Sequence, residues 1–194
     1  MIGLILCGGK SSRMGTDKGL LKWEARTWAR TSVDKMAILN IPVKLSVNND
    51  QADEYAKVFS PGDLITDRKE LPVKGPLAGV LSAHLQYPNE DIFLLGCDML
   101  LMDPVILQEL KNLSITCPAY DAWLYTNDGE PEPLCSIIKS AALKKIINMH
   151  ESGQLKKHSM KFMLEHIHIF TLPLREDQKK YFRNFNTHAE LNGL

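Results

Sequence analysis

No stretch of this 194-residue sequence approaches the roughly 18 apolar residues needed to cross a bilayer, so no membrane association is expected. Net charge is missing too. The 23 lysines and arginines balance 23 aspartates and glutamates, leaving no global field to recruit nucleic acid or an anionic surface. Cysteine is scarce: Cys7, Cys97, Cys117 and Cys135 form no C-x-x-C pair, which argues against structural zinc and a redox dithiol. Two of the four close apparent strands and read as small buried hydrophobes in a reducing compartment. The amino terminus has neither the basic leader nor the apolar length of a signal peptide, so a cytoplasmic location is expected. Repeats and low-complexity segments are absent. Any anion site must therefore be built locally.

What is present is a regular alternation. Hydrophobic residues make up 44% of the chain, enough for one sizeable core and a single domain over residues 1–194. Ile2–Leu6 is a continuous apolar run, the mark of a strand buried on both faces of a parallel sheet. A helix is expected over Thr27–Leu39, a strand at Val43–Val47, a short helix at Gln51–Phe59 and a short strand from Leu64-Ile65 into Thr66-Asp67. Gly75-Pro76 opens a helix through Tyr87, Ile92–Leu95 is a second fully apolar strand, and Asp103-Pro104 caps and starts Val105–Leu113. Strand–helix alternation of this kind predicts an α/β fold, a mostly parallel sheet with helices on both faces. The second half adds a small antiparallel element, Ala119–Tyr125 and Leu134–Ile138 around Asn127-Asp128-Gly129. Helices at Ala141–His150 and Leu155–Glu165, a strand at Ile167–Leu172 and a final turn capped by Thr187 complete the expectation.

Open α/β sheets bind ligands beyond the carboxyl ends of their strands. Gly8-Gly9, Asp67 and Asp98 all fall at such ends. The first of these runs into Gly8-Gly9-Lys10-Ser11-Ser12-Arg13-Met14-Gly15-Thr16-Asp17-Lys18, which has neither Walker A nor G-x-G-x-x-G spacing. Its glycines still let backbone N–H groups face a ligand, while Arg13 offers a planar fork and Lys18 a point charge to phosphate oxygens. Asp98 suits a magnesium ligand, because Asp103 already caps the helix that follows. Asp17 reads as a turn or ion-pair residue holding Lys18. His166 and His168 share one face of the expected strand without a third ligand, and Trp23, Trp28 and Trp123 read as packing residues.

The segment LCGGKSSRMGTDKG resembles the N-terminal signature L-x-G-G-x-x-x-R-M-G-x-D-K of nucleotidyltransferases, most closely the molybdenum cofactor guanylyltransferases. TDRKELPVKGPLAGVLSA, FLLGCDML, PEPLCSI and FRNFNTHAEL resemble four further segments of that family in the same order. Three departures stand out: Leu100 replaces a proline after C-D-x, Cys7 an alanine, and KWEARTWAR lacks a G-x-P-L. The resemblance implies a Rossmann-like nucleotidyltransferase that uses Mg²⁺ and transfers GMP from GTP to the terminal phosphate of molybdopterin or of a molybdenum-bearing pterin. Arg13, Lys18 and Asp98 would be catalytic, with Asp98 the metal ligand. Leu6, Cys7, Gly8, Gly9, Lys18, Asp67, Asp98 and Asn48, or Asn49 beside it, would meet the nucleotide. Gly75, Gly79, Asn184 and Asn186 would approach the acceptor. Pterin-delivering and molybdoenzyme chaperone proteins are the implied partners. Two alternatives stay open: a cytidylyl or sugar-phosphate transferase on the same scaffold, and a non-catalytic nucleotide-binding regulator. Cytidylyl relatives favour A-A-G where this chain has Cys7-Gly8-Gly9.

Overall fold

Alternation within the first apolar run decides the layering. In β1 (Ile2–Leu6), Leu4 and Leu6 pack into one core and Ile5 into another on the opposite face, as the two-residue period of a strand requires. A computed structural model describes residues 1–7, 17–185 and 190. After a two-stranded ribbon of β2 (Lys22–Trp23) and β3 (Arg26–Thr27) come α1 (Trp28–Ala37), β4 (Val43–Val47), α2 (Ala52–Ala56), β5 (Leu64–Thr66), α3 (Pro76–Gln86) and β6 (Ile92–Gly96). Then follow α4 (Pro104–Thr116), β7 (Ala122–Asn127), β8 (Glu130–Ile138), α5 (Ser140–Glu151), α6 (Met160–Leu164) and β9 (Ile169–Pro173). The main sheet has the order β5-β4-β1-β6-β8-β7-β9, and only β8 runs antiparallel to its neighbours. Helices α3, α5 and α6 cover one face; α1, α2 and α4 cover the other. No helix among the described residues is long and apolar enough to cross a membrane.

The expected α/β architecture is present, and its caps are those the residues announce. Thr27 accepts from the Arg30 N–H at 3.2 Å and Asp103 from the Val105 N–H at 2.8 Å. Gly75 precedes Pro76 with φ of +69°, a conformation glycine adopts without a Cβ penalty. Trp28 and Trp123 are fully buried, as packing residues should be.

The second half departs from expectation in four places. Residues 154–158 are not helical, because the N–H groups of Gln154 and Leu155 bond back to the Met149 carbonyl and Leu155 enters the core. Helix α6 starts only after Ser159, whose hydroxyl caps it at 3.1 Å. Strand β9 begins at Ile169, so His166 and His168 share no strand face; His166 Nδ1 lies 2.8 Å from the Phe162 carbonyl instead. Strand β8 runs four residues earlier than expected, through Pro131 and Pro133. Prolines are tolerated there because β6 ends at Gly96 and the β7 pairing shifts register between Leu124 and Thr126. The turn is Asp128-Gly129, with φ of 51° and 86°, and the ribbon β2–β3 was too short to show a period.

Helix α3 presses on the sheet through Gly79, where a Cβ would stand 2.2 Å from Ser46 Oγ and 3.0 Å from Leu6 Cδ2. Overpacking costs about 1–3 kcal/mol, more than the up to about 1 kcal/mol gained by removing a helical glycine. Gly79→Ala should therefore lose about 1 kcal/mol, a fall in melting temperature of roughly 2–4 °C at this size. Gly62→Ala, with open space around it, should leave the melting temperature unchanged or raise it slightly.

Candidate nucleotide site

Chain direction builds the site before any side chain does. From β1 the chain moves to β4 and β5 on one side, then returns across β1 to form β6 on the other. The carboxyl ends of β1 and β6 are therefore the topological switch point, the crevice where ligands bind in such sheets. Main-chain pairing continues past the strands: the Cys7 N–H donates to Ser46 O at 2.9 Å and the Cys97 N–H to Leu6 O at 3.1 Å. Both cysteines are buried free thiols. Leu6, Cys7 and Asp98 thus edge one crevice, while Gly8, Gly9 and Arg13 lie outside the described residues.

Asp98 occupies the turn after β6. Burial pushes its carboxyl up from the ordinary range, and the nearby Lys18 charge pulls it part of the way back. A Cβ on Gly96 would lie 2.8 Å from Asp98 Oδ1, so the carboxylate folds over a position that only glycine leaves open. Its carbonyl accepts from the Phe185 N–H at 3.0 Å, which ties the C-terminal segment to this turn. Phe185 is fully buried with Trp28 and Leu100, and Asn184 beside it is exposed; Asn186 and Thr187 lie outside the described residues. The Leu100 carbonyl also accepts from the ammonium of Lys35, whose burial lowers its pKa to about 8.

Lys18 opens a single 3₁₀ turn, Lys18–Leu20. Asp17 caps that turn, accepting the Gly19 N–H at 2.8 Å and the Tyr55 hydroxyl at 2.6 Å on the same oxygen. The expected turn role of Asp17 is present. Tyr55, thirty-eight residues away, carried no local signal that could have paired it with Asp17.

Two strands along the same sheet edge, Asp67 follows β5, with its N–H on Val47 O at 3.3 Å. Partial burial raises its carboxyl. The Asn49 amide donates to Asp67 O at 3.0 Å, whereas Asn48 Oδ1 is used at home, accepting the Gln51 N–H at 3.0 Å. Gly75 lies exposed at the start of α3, and Gly79 is buried in the helix–sheet contact. Among the described residues no three His, Cys, Asp or Glu side chains gather as a metal cage. One carboxylate such as Asp98 is nonetheless enough for Mg²⁺, which takes one or two carboxylates and completes its shell with waters and substrate phosphates.

The raised Asp98 carboxyl has a stability consequence. The native state binds its proton more tightly than the unfolded chain, so this group's contribution is present at acid pH and lost as pH rises through its native value. At neutral pH, in chelator, Asp98→Asn should therefore raise the melting temperature above that of the parent protein. Scans from pH 4 to 7 should show the gap opening as pH rises.

A family model described as a MobA-like NTP transferase domain matches residues 3–168. The chain is 29% identical to a probable molybdenum cofactor guanylyltransferase of Flavobacterium johnsoniae over 190 residues, covering 98% of this chain and 94% of that protein. It is 28% identical to a molybdenum cofactor guanylyltransferase of Campylobacter jejuni, covering 96% and 91%. Its fold is similar to that of molybdopterin-guanine dinucleotide biosynthesis protein A from Archaeoglobus fulgidus, with a TM-score of 0.79 at 20% identity over 100% and 96% of the two chains. The chain belongs to the MobA-like NTP transferase domain family.

Proposed function

We propose that this protein transfers GMP from GTP to the terminal phosphate of molybdopterin and releases pyrophosphate. The observation that carries this reading is Asp98 within electrostatic reach of Lys18 at the β1/β6 crevice, with Asp67 on the same sheet edge. Guanine presents N1–H and an exocyclic amine as adjacent donors. A partly buried carboxylate such as Asp67 gains by accepting both, since donors favour the ionised form that burial penalises.

The acceptor supplies its own nucleophile. A phosphate monoester is mostly ionised at neutral pH, its second pKa being about 6, so its oxygen attacks the α-phosphorus without a general base. The bond from the α-phosphorus to the bridging oxygen breaks, and pyrophosphate leaves with that electron pair. What the chain must supply is alignment and positive charge. Lys18 and Arg13 would neutralise the triphosphate and the departing pyrophosphate. Asp98 would hold Mg²⁺, which when bound adds positive charge at the phosphates. The backbone of residues 6–9 would line the base and α-phosphate, with Asn48 or Asn49 beside it. Asn184, beside the Phe185 that is tied to Asp98, together with Asn186 and Gly75, would face the pterin, whereas Gly79, packed against Ser46 and Leu6, serves the helix–sheet contact and is not a substrate contact. A protein delivering that pterin, and a molybdoenzyme chaperone receiving the product, would complete the cycle in the cytoplasm.

Thermal shift with Mg²⁺ and each of four nucleoside triphosphates tests the base assignment. GTP should stabilise most, by about 2.7 kcal/mol at 100 times its dissociation constant. An equal or larger shift with CTP would replace this reading with cytidylyl transfer. Asp98→Ala should keep the fold and lose transfer by on the order of a thousandfold, measured as pyrophosphate release with the pterin acceptor. Near-normal rates with unchanged Mg²⁺ dependence would make Asp98 a structural residue.

A further inference from the structure

Capping a three-residue turn does not require a carboxylate. Serine or asparagine would satisfy the same N–H groups at lower desolvation cost. Asp17 is nevertheless there, and burial pushes its carboxyl up even though Tyr55, Gly19 and Leu20 all donate to it. Its Oδ1 carries the 2.6 Å bond from Tyr55 and the 2.8 Å bond from Gly19, while Oδ2 is buried without a partner among the described residues. Keeping an ionisable carboxyl at this partly buried position costs free energy and calls for a compensating use.

Tyr55 explains the arrangement from the other side. It is fully buried on α2, the helix that follows Asn48-Asn49, and its ring stacks on Phe59 with centroids 6.0 Å apart. The Lys18–Leu20 turn lies directly on its hydroxyl: a Cβ on Gly19 would stand 2.1 Å from that oxygen and 3.2 Å from the ring carbon bearing it. Only glycine fits. The turn is thus seated on a rigid aromatic anchor, and its first residue is Lys18, whose charge is felt at Asp98.

We propose that Tyr55 is a positioning residue for Lys18: its hydroxyl fixes Asp17, Asp17 caps the turn, and the turn aims the Lys18 ammonium at the triphosphate beside Asp98. The inference rests on the nucleotidyl-transfer reading above. A lysine head on a flexible four-carbon stem is placed in part by the backbone that carries it, and small misplacements of a catalytic charge cost large factors in rate.

A double-mutant cycle separates positioning from simple stabilisation. Tyr55→Phe removes one oxygen and should lower kcat/KM for GTP·Mg²⁺ by about tenfold, and Asp17→Ala by at least as much. In a Lys18→Met background the same two changes should cost less than about twofold, because the charge they aim is gone. Melting temperatures should meanwhile fall by the same amount in either background. Losses that multiply in the double variants, or a Tyr55→Phe protein with parental kcat/KM, would overturn the positioning role while leaving nucleotidyl transfer intact. A parent protein that binds none of the four nucleoside triphosphates, by calorimetry, would overturn the functional reading and this inference together.

Discussion

Parallel pairing of β1 with β6 is the constraint on which the site depends. The two strands are neighbours in space but far apart in sequence, and the chain between them leaves on one side of β1 and returns on the other. Right-handed crossovers then place α1 and α3 on opposite faces of the sheet. No crossover bridges the ends of these two strands directly, so a crevice remains. Backbone bonds from Cys7 and Cys97 carry the ladder just past the strands and hold the crevice edges at sheet spacing.

Placing carboxylates around that crevice costs the folded protein stability. Asp17, Asp67 and Asp98 each have a carboxyl raised mainly by burial. Three such groups make the folded state less stable than the core alone would allow. Donors from a base edge, a bound cation and lysine charge are the interactions that would offset this. A site that is electrostatically incomplete in the free protein is what a charge-neutralising transferase needs, since its binding energy is released only with substrate present.

The turn carrying Asp98 is held from two directions. From α1, Lys35 donates to the Leu100 carbonyl; from the C-terminal segment, Phe185 donates to the Asp98 carbonyl. Trp28, Leu100 and Phe185 close over this as a small separate core. Packing sets this turn: Leu100 has no solvent exposure at all. Leu100 is therefore held by its neighbours Trp28 and Phe185.

Much of this was legible in order of residues alone. Continuous apolar runs at Ile2–Leu6 and Ile92–Leu95, the caps Thr27 and Asp103, and the glycine–proline start of α3 are local signals, because each depends on residues within one turn or one strand. Asp98 and Asp67 could be singled out because strand ends in such sheets are where ligands go. Tertiary structure alone decided the rest. Residues 155–158 gave up helix for a core position of Leu155, since burying a leucine outweighs even good local helix propensity. The short ribbon β2–β3 had too few residues for any period to show. Asp17 met Tyr55 only because β4 pairs beside β1 and carries α2 to the Lys18–Leu20 turn, a contact between residues that share no spacing in the chain.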